Sequence, residues 1–194
     1  VGGLANMLAA HMDLDNPQHQ QLVQQFWHSP TIAKQVGLKA VDLFEAVEAG
    51  KIKAIWIMAT NPVVSLPNAD QVKRALEKCE FVVVSDICLD TDTTQYADVL
   101  LPALGWGEKD GTVTNSERRI SRQRAFLDIP EQAQADWWSV SQVAKKLGFQ
   151  GFDFESSHDI FKEHAQLSAY QNAEIALRSS TETFRYFNLA GLTN

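Results

Sequence analysis

Cysteine is scarce in this chain of 194 residues, and that scarcity limits the metal chemistry that the chain supports. The two cysteines, Cys79 and Cys88, form no CxxC pair, which argues against an iron–sulfur or zinc site built by this chain alone. The five histidines are scattered without ligand spacing, and no local pattern supports a Ser-His-Asp triad. We therefore expect neither metal ligands nor catalytic residues here. The low cysteine content fits a reducing, cytoplasmic compartment.

Long apolar runs, glycine-rich phosphate loops and an excess of positive charge are also missing. No segment approaches the roughly 18 apolar residues of a membrane span, and no signal peptide is visible. Neither GxGxxG nor GxxxxGKS/T occurs, so the usual dinucleotide and P-loop fingerprints do not apply. The formal net charge of -7 argues against nucleic-acid binding, which normally requires a basic face. We expect neither a membrane nor a nucleic-acid partner.

Two short apolar runs with a helix-like segment between them predict a β–α–β unit. The runs are residues 53–60 and 81–86, and the second is a valine-rich segment typical of a strand covered on both faces. Between them, Asn68 with Gln71 three residues later predicts a capped helix start. Such units form parallel strands joined by right-handed crossovers.

The flanking segments extend this unit into an α/β fold. We predict a helix before Gly50, a third strand within residues 97–103 and an irregular polar segment over 105–124. Asp136 opens a further helix, where its default role is N-cap. Residues 1–150 are predicted to form one α/β domain, a mainly parallel sheet flanked by helices in a Rossmann-like arrangement. Residues 151–194 are predicted to be its helical or irregular extension, with short helices near 159–167 and 172–178.

Polar residues follow the two apolar strands at their carboxyl ends, where open parallel sheets bind ligands. Asn61 follows the first strand, and Ser85 and Asp86 end the second. The Asn61 amide offers both a donor and an acceptor, and the Asp86 carboxylate accepts hydrogen bonds of the kind that ribose hydroxyls or guanine N–H groups donate. Plain turn or capping roles remain the alternative for both residues.

Basic residues are concentrated in one segment of the chain. Five of the 17 basic residues fall within 16 positions: Lys109, Arg118, Arg119, Arg122 and Arg124. In an acidic chain this cluster reverses the local field, which would suit a pyrophosphate. The alternative is a solvated basic loop, or a patch whose charges pair with Glu108, Asp110 and Glu117.

Several blocks resemble one family in order and separation. They are VGGLANMLAAH, GLKAVDLFEAVEAGKIKAIWIMATNPVVSLP, FVVVSD, YADVLLPALGWGEKDGTVTNSERRISRQR and ADWW. Together they resemble the molybdopterin oxidoreductases that carry a bis(molybdopterin guanine dinucleotide) cofactor, and within them the assimilatory nitrate reductases, with formate dehydrogenases next. The resemblance covers roughly residues 1–150.

The resemblance implies specific contacts to the cofactor. Asn61, Ser85, Asp86, Lys109 and Asp136 fall where the family contacts its pterin dinucleotides, which surround one molybdenum. We interpret Lys109 as a phosphate contact and Asp86 as a guanine or ribose contact. The whole enzyme of this kind reduces nitrate to nitrite by two electrons.

The family's other parts are not represented in this sequence. Its upstream cysteine cluster for a 4Fe-4S centre, its protein ligand to molybdenum and its downstream barrel domain are missing. We therefore expect an internal segment that is inactive alone, whose partners are the remaining domains of the parent polypeptide and an electron-donor protein. A formate dehydrogenase-type segment and a stand-alone nucleotide-binding or interaction module remain the alternatives.

Overall fold

A computed structural model describes residues 7–117 and 119–171, which belong to two compact units. Of the described residues, those between 38 and 153 form one unit, and residues 7–37 and 154–171 form the other. The strands are β1 (Met7–Leu8), β2 (Met12–Asp13), β3 (Ala54–Met58), β4 (Phe81–Asp86), β5 (Val99–Pro102), β6 (Gly111–Thr114) and β7 (Ile120–Gln123). The helices are α1 (Pro17–Phe26), α2 (Ala40–Glu48), α3 (Pro62–Ser65), α4 (Ala69–Lys78), α5 (Asp136–Lys146) and α6 (Ser157–Ala169). Within the described residues, 3₁₀ turns span Ala9–His11, Thr94–Tyr96 and Trp106–Glu108.

The larger unit is built on a parallel three-stranded sheet in the order β3-β4-β5. This confirms the predicted α/β fold, its β–α–β unit and its third strand. Asn68 caps α4 as predicted, because its side-chain oxygen accepts from the backbone N–H of Gln71 at 3.2 Å. Gly50 ends α2 with φ of +71°, a left-handed conformation that glycine adopts without strain.

The core of this unit lies between the sheet and the helices α2 and α4. Val82 and Val84 of the central strand are 1% and 0% exposed and pack with Phe44, Val47 and Leu76. The other face of β4 is less covered than predicted in the described residues, since Val83 is half-buried and Phe81 is 46% exposed. The continuous apolar run therefore reflects a strand with neighbours on both edges and full burial on one face.

Residues 105–124 differ from the prediction of an irregular segment. β6 and β7 form an antiparallel hairpin, and Asn115 organises its turn by accepting from the backbone N–H groups of Glu117 and Arg119 at 3.0 and 2.9 Å. The strands have only four residues each and no fully buried side chain, so they lack the apolar alternation that marks a strand in sequence.

The smaller unit pairs β1 with β2 and buries Met12, Val23 and Leu167. α6 confirms the helix predicted near 159–167, and Ser156 caps it by accepting from the N–H of Asp159 at 3.3 Å. The helix predicted near 172–178 lies outside the described residues. None of the helices in the described ranges combines the length and the apolar character needed to cross a bilayer.

An ion pair joins α2 to α4 and makes stability depend on pH. Arg74 Nε donates to Glu48 Oε1 at 2.8 Å, and this hydrogen bond is the main cause that holds the pKa of Glu48 below its ordinary value of 4.5. A lowered folded-state pKa contributes stability that is present above the unfolded-state pKa and is lost as the pH falls through the folded-state value.

Arg74→Gln is therefore expected to lower the melting temperature at neutral pH, and the deficit should shrink toward zero in acid. Thermal melts of both chains across the acid range measure this. Lys73→Gln is the matched control, because Lys73 lies on the same helix and reaches only Asp70, at 4.0 Å. A deficit for Arg74→Gln that stays constant with pH would contradict the role of Glu48.

Candidate functional site

A cavity of about 420 Å³ opens at the carboxyl ends of β3 and β4 in the larger unit. It is lined by residues Ala59, Thr60, Asn61, Asp86, Ile87, Cys88, Thr91, Ala103, Leu104, Gly105, Trp106, Lys109 and Asp136. Its volume falls in the range of about 300–1,000 Å³ that is usual for small-molecule sites. The edge is also the one that parallel sheets use for ligands.

The cavity brings together four of the five residues predicted from sequence: Asn61, Asp86, Lys109 and Asp136. Ser85 is not among its lining residues. The Ser85 side chain is 2% exposed, and its hydroxyl accepts from the Trp56 indole N–H at 2.8 Å. Adjacent residues of a strand point to opposite faces, so Ser85 and Asp86 cannot present their side chains in the same direction.

Asn61 lies at the N-cap position of α3 but does not cap it. Its side chain makes no bond to its own helix; instead Oδ1 accepts from the Thr93 hydroxyl at 2.6 Å. The amide nitrogen of Asn61 has no partner among the described residues. The plain capping interpretation is therefore wrong for this side chain, and a donor remains free beside the cavity.

Asp86 combines a turn role with a free acceptor. Its Oδ1 accepts from the backbone N–H of Cys88 at 3.0 Å, which fixes the turn after β4. The other carboxylate oxygen has no partner among the described residues. Ala59 also lines the cavity and has φ of +53°, a strained conformation for a residue with a side chain, and such strain concentrates at functional sites.

Asp136 does not have the predicted N-cap role. Ala135 occupies that position, and Asp136 is the first residue of α5, where its charge suits the helix N-terminus. Its Oδ2 lies 3.6 Å from Lys109 Nζ, whereas its Oδ1 is buried without a hydrogen-bond partner among the described residues. A buried acceptor without a donor is costly, so a ligand N–H or O–H would find its partner here.

Of the described members of the basic cluster, only Lys109 lines the cavity. Arg119, Arg122 and Arg124 are exposed, and no ion pair joins them to another described residue; Arg118 lies outside the described residues. The alternative prediction was that the cluster pairs with Glu108, Asp110 and Glu117, and no such ion pair is present among the described residues. Glu108 accepts from the backbone N–H of Gly105 at 2.6 Å, and Asp110 from that of Ala125 at 3.0 Å.

The hairpin supports the loop that carries Lys109. Gln123 of β7 donates to the backbone carbonyls of Trp106 and Lys109, which ties the 3₁₀ turn to the hairpin. Trp106 itself is 65% exposed at the cavity. In the described ranges no group of three His, Cys, Asp or Glu side chains converges on a possible metal position.

Comparison with known proteins decides the family. Residues 3–146 match the family model described as molybdopterin oxidoreductase. The chain belongs to the molybdopterin oxidoreductase family. The chain is 60% identical over 169 residues to a nitrate reductase of Shewanella frigidimarina. The match covers 87% of this chain and 18% of that protein. The chain is 36% identical over 170 residues to the F420-dependent formate dehydrogenase 1 subunit alpha of Methanococcus maripaludis, covering 87% of this chain and 24% of that subunit.

A solved structure supports the fold of this molybdopterin oxidoreductase segment. Acetylene hydratase from Pelobacter acetylenicus superimposes with a TM-score of 0.60 at 16% identity, over 90% of this chain and 24% of that one. At this identity the likeness concerns the fold alone. The chain spans between 18% and 24% of the length of the curated relatives it matches.

Proposed function

We propose that the chain forms part of the molybdopterin guanine dinucleotide-binding region of a nitrate reductase. The observation that carries the proposal is the cavity at the sheet edge, where Asn61, Asp86, Lys109 and Asp136 meet. Family membership implies a molybdenum cofactor. Its bis(molybdopterin guanine dinucleotide) form is the finer part of the proposal.

The chemistry of the cavity fits the nucleotide end of such a cofactor. The free oxygen of Asp86 suits the paired N–H groups of guanine or the hydroxyls of ribose, and Lys109 suits a phosphate oxygen. The unpartnered Oδ1 of Asp136 is a second acceptor that a bound group would satisfy. At about 420 Å³ the cavity suits one nucleotide rather than the whole cofactor.

The chain's own residues thus bind and orient the cofactor, and none is assigned to catalysis. When bound, the molybdenum cofactor supplies two-electron oxygen-atom transfer, which reduces nitrate to nitrite. We assign the 4Fe-4S cluster, the metal ligand and the nitrate pocket to the remaining domains of the parent polypeptide. The partners are those domains and an electron-donor protein. A cytoplasmic location is proposed, in keeping with the two unpaired thiols of Cys79 and Cys88.

Nitrate is favoured over formate as the substrate of the whole enzyme, because the chain is more similar in sequence to a nitrate reductase than to a formate dehydrogenase subunit. The identity is 60% with the Shewanella nitrate reductase and 36% with the formate dehydrogenase subunit. Because the residues of this chain face the nucleotide and not the substrate, the argument for nitrate rests on whole-segment similarity.

Purification of the complete polypeptide that carries this segment tests the proposal. We expect bound molybdenum with two guanine nucleotides for each metal after acid hydrolysis, and nitrate reduction with a chemical electron donor. Formate oxidation without nitrate reduction would favour the dehydrogenase alternative. A purified protein that binds neither molybdenum nor guanine nucleotide would contradict the proposal and favour a stand-alone module.

A further inference from the structure

Thr93 is a fully buried side chain beside the cavity that the proposed contacts do not include. It is 0% exposed and comes just before the 3₁₀ turn Thr94–Tyr96. Its hydroxyl accepts from the backbone N–H of Val63 at 3.3 Å and donates to Asn61 Oδ1 at 2.6 Å. A single hydroxyl thus joins the start of α3 to the segment that follows β4.

The first of these bonds replaces a cap. An asparagine at an N-cap normally turns its side-chain oxygen onto the second or third N–H of its own helix. In α3 the N–H of Val63 is instead satisfied by Thr93, and Asn61 makes no capping bond. The side chain of Asn61 is therefore released from its usual local role.

The second bond orients the amide. With Oδ1 of Asn61 committed to the Thr93 hydroxyl, the NH₂ group is the part of the amide that remains for a ligand. Since Asn61 lines the cavity, this arrangement offers a donor next to the acceptors of Asp86 and Asp136.

From this geometry we infer that Thr93 is a positioning residue that holds Asn61 with its amide donor toward the cofactor. The ligand atom that meets Asn61 is then a hydrogen-bond acceptor, such as a carbonyl, a ring nitrogen or a phosphate oxygen. This inference rests on the proposed function, because it requires the cofactor to occupy the cavity.

The test uses the complete polypeptide and measures how fast molybdenum and guanine nucleotide leave it during dialysis. Thr93→Val keeps the shape and removes the hydroxyl, and release should accelerate about fivefold, the effect of one lost neutral hydrogen bond. Thr93→Ser retains the hydroxyl and should restore release to within about twofold of the unsubstituted rate. Thr94→Val is the matched control, because Thr94 is 5% exposed and its hydroxyl bonds only within its own loop, to Leu89 and Thr91.

A double-substitution cycle separates positioning from general support. In an Asn61→Ala background, Thr93→Val should add nothing to the release rate, since there is no amide left to position. A full additional effect in that background, or equal acceleration by Thr94→Val, would overturn the inference while leaving the proposed function standing. Unchanged release in Asn61→Ala would instead remove Asn61 from the cofactor site and overturn both its placement and the role of Thr93.

A second variant covers the case in which Thr93→Val does not fold. Asn61→Asp keeps an acceptor for the Thr93 hydroxyl and replaces the amide donor with a negatively charged oxygen. We expect the melting temperature of the cofactor-free polypeptide to stay unchanged while release accelerates at least as much as in Asn61→Ala. Release at the unsubstituted rate in Asn61→Asp would show that no donor is needed, and would overturn the inference.

Discussion

Lys109→Ala is expected to accelerate cofactor loss from the complete polypeptide by about 10- to 100-fold, because hydrogen bonds to charged groups contribute about 1.5–3 kcal/mol. Lys109 is the one member of the basic cluster that lines the cavity within the described residues. Its ammonium lies 3.6 Å from Asp136, with both side chains about one-third exposed. Removing it deletes the positive charge that we propose faces a phosphate, and leaves the Asp136 carboxylate without its cation.

The matched control for this prediction is Arg124→Ala. Arg124 belongs to the same basic segment and carries the same charge, but it is exposed and does not line the cavity. Molybdenum content after gel filtration should therefore be preserved in Arg124→Ala and strongly reduced in Lys109→Ala. Full molybdenum content in Lys109→Ala would exclude Lys109 from the cofactor site, and equal loss from both variants would indicate a long-range electrostatic effect and not a contact.

The parts of the fold that were predictable from sequence are those with a strong local signal. The runs that became β3 and β4 are short, apolar and separated by a capped helix, so their parallel pairing followed from the connection alone. The sheet-edge rule then selects Asn61 and Asp86, because they follow these two runs in the sequence. The 42% to 60% identity with nitrate reductases agrees with the family that the sequence blocks indicated.

The parts that were not predictable depend on contacts between distant residues. The Thr93–Asn61 bond joins side chains 32 positions apart, and nothing in the sequence around Thr93 distinguishes it from the neighbouring threonines. The hairpin was missed because its stability comes from the Asn115 turn and a short ladder, and not from an apolar face. The exclusion of the Ser85 side chain from the cavity is predictable from sequence, because adjacent residues of a strand point to opposite faces and Asp86 is its neighbour.

The Asp86→Asn substitution is expected to weaken cofactor retention by about 100-fold, because a site built to pair with a ligand N–H rejects the mismatched arrangement strongly. The variant preserves the turn after β4, because the carbonyl oxygen of asparagine can still accept from the Cys88 N–H. In the unsubstituted chain that N–H donates to the Asp86 carboxylate at 3.0 Å. The second oxygen becomes an NH₂ group, which opposes the N–H groups of guanine. The loss therefore reports on the ligand contact and not on the loop.

Asp90→Asn is the control, since Asp90 lies in the same loop, is exposed, and does not line the cavity. Both variants change the net charge equally, so their comparison removes any general electrostatic effect. Guanine nucleotide and molybdenum should be measured for each polypeptide, together with the melting temperature after cofactor removal. Full occupancy in Asp86→Asn would remove this carboxylate from the nucleotide site. Because Asp86 ends the central strand of the sheet, that result would also argue against the proposed position of the guanine at the carboxyl ends of β3 and β4.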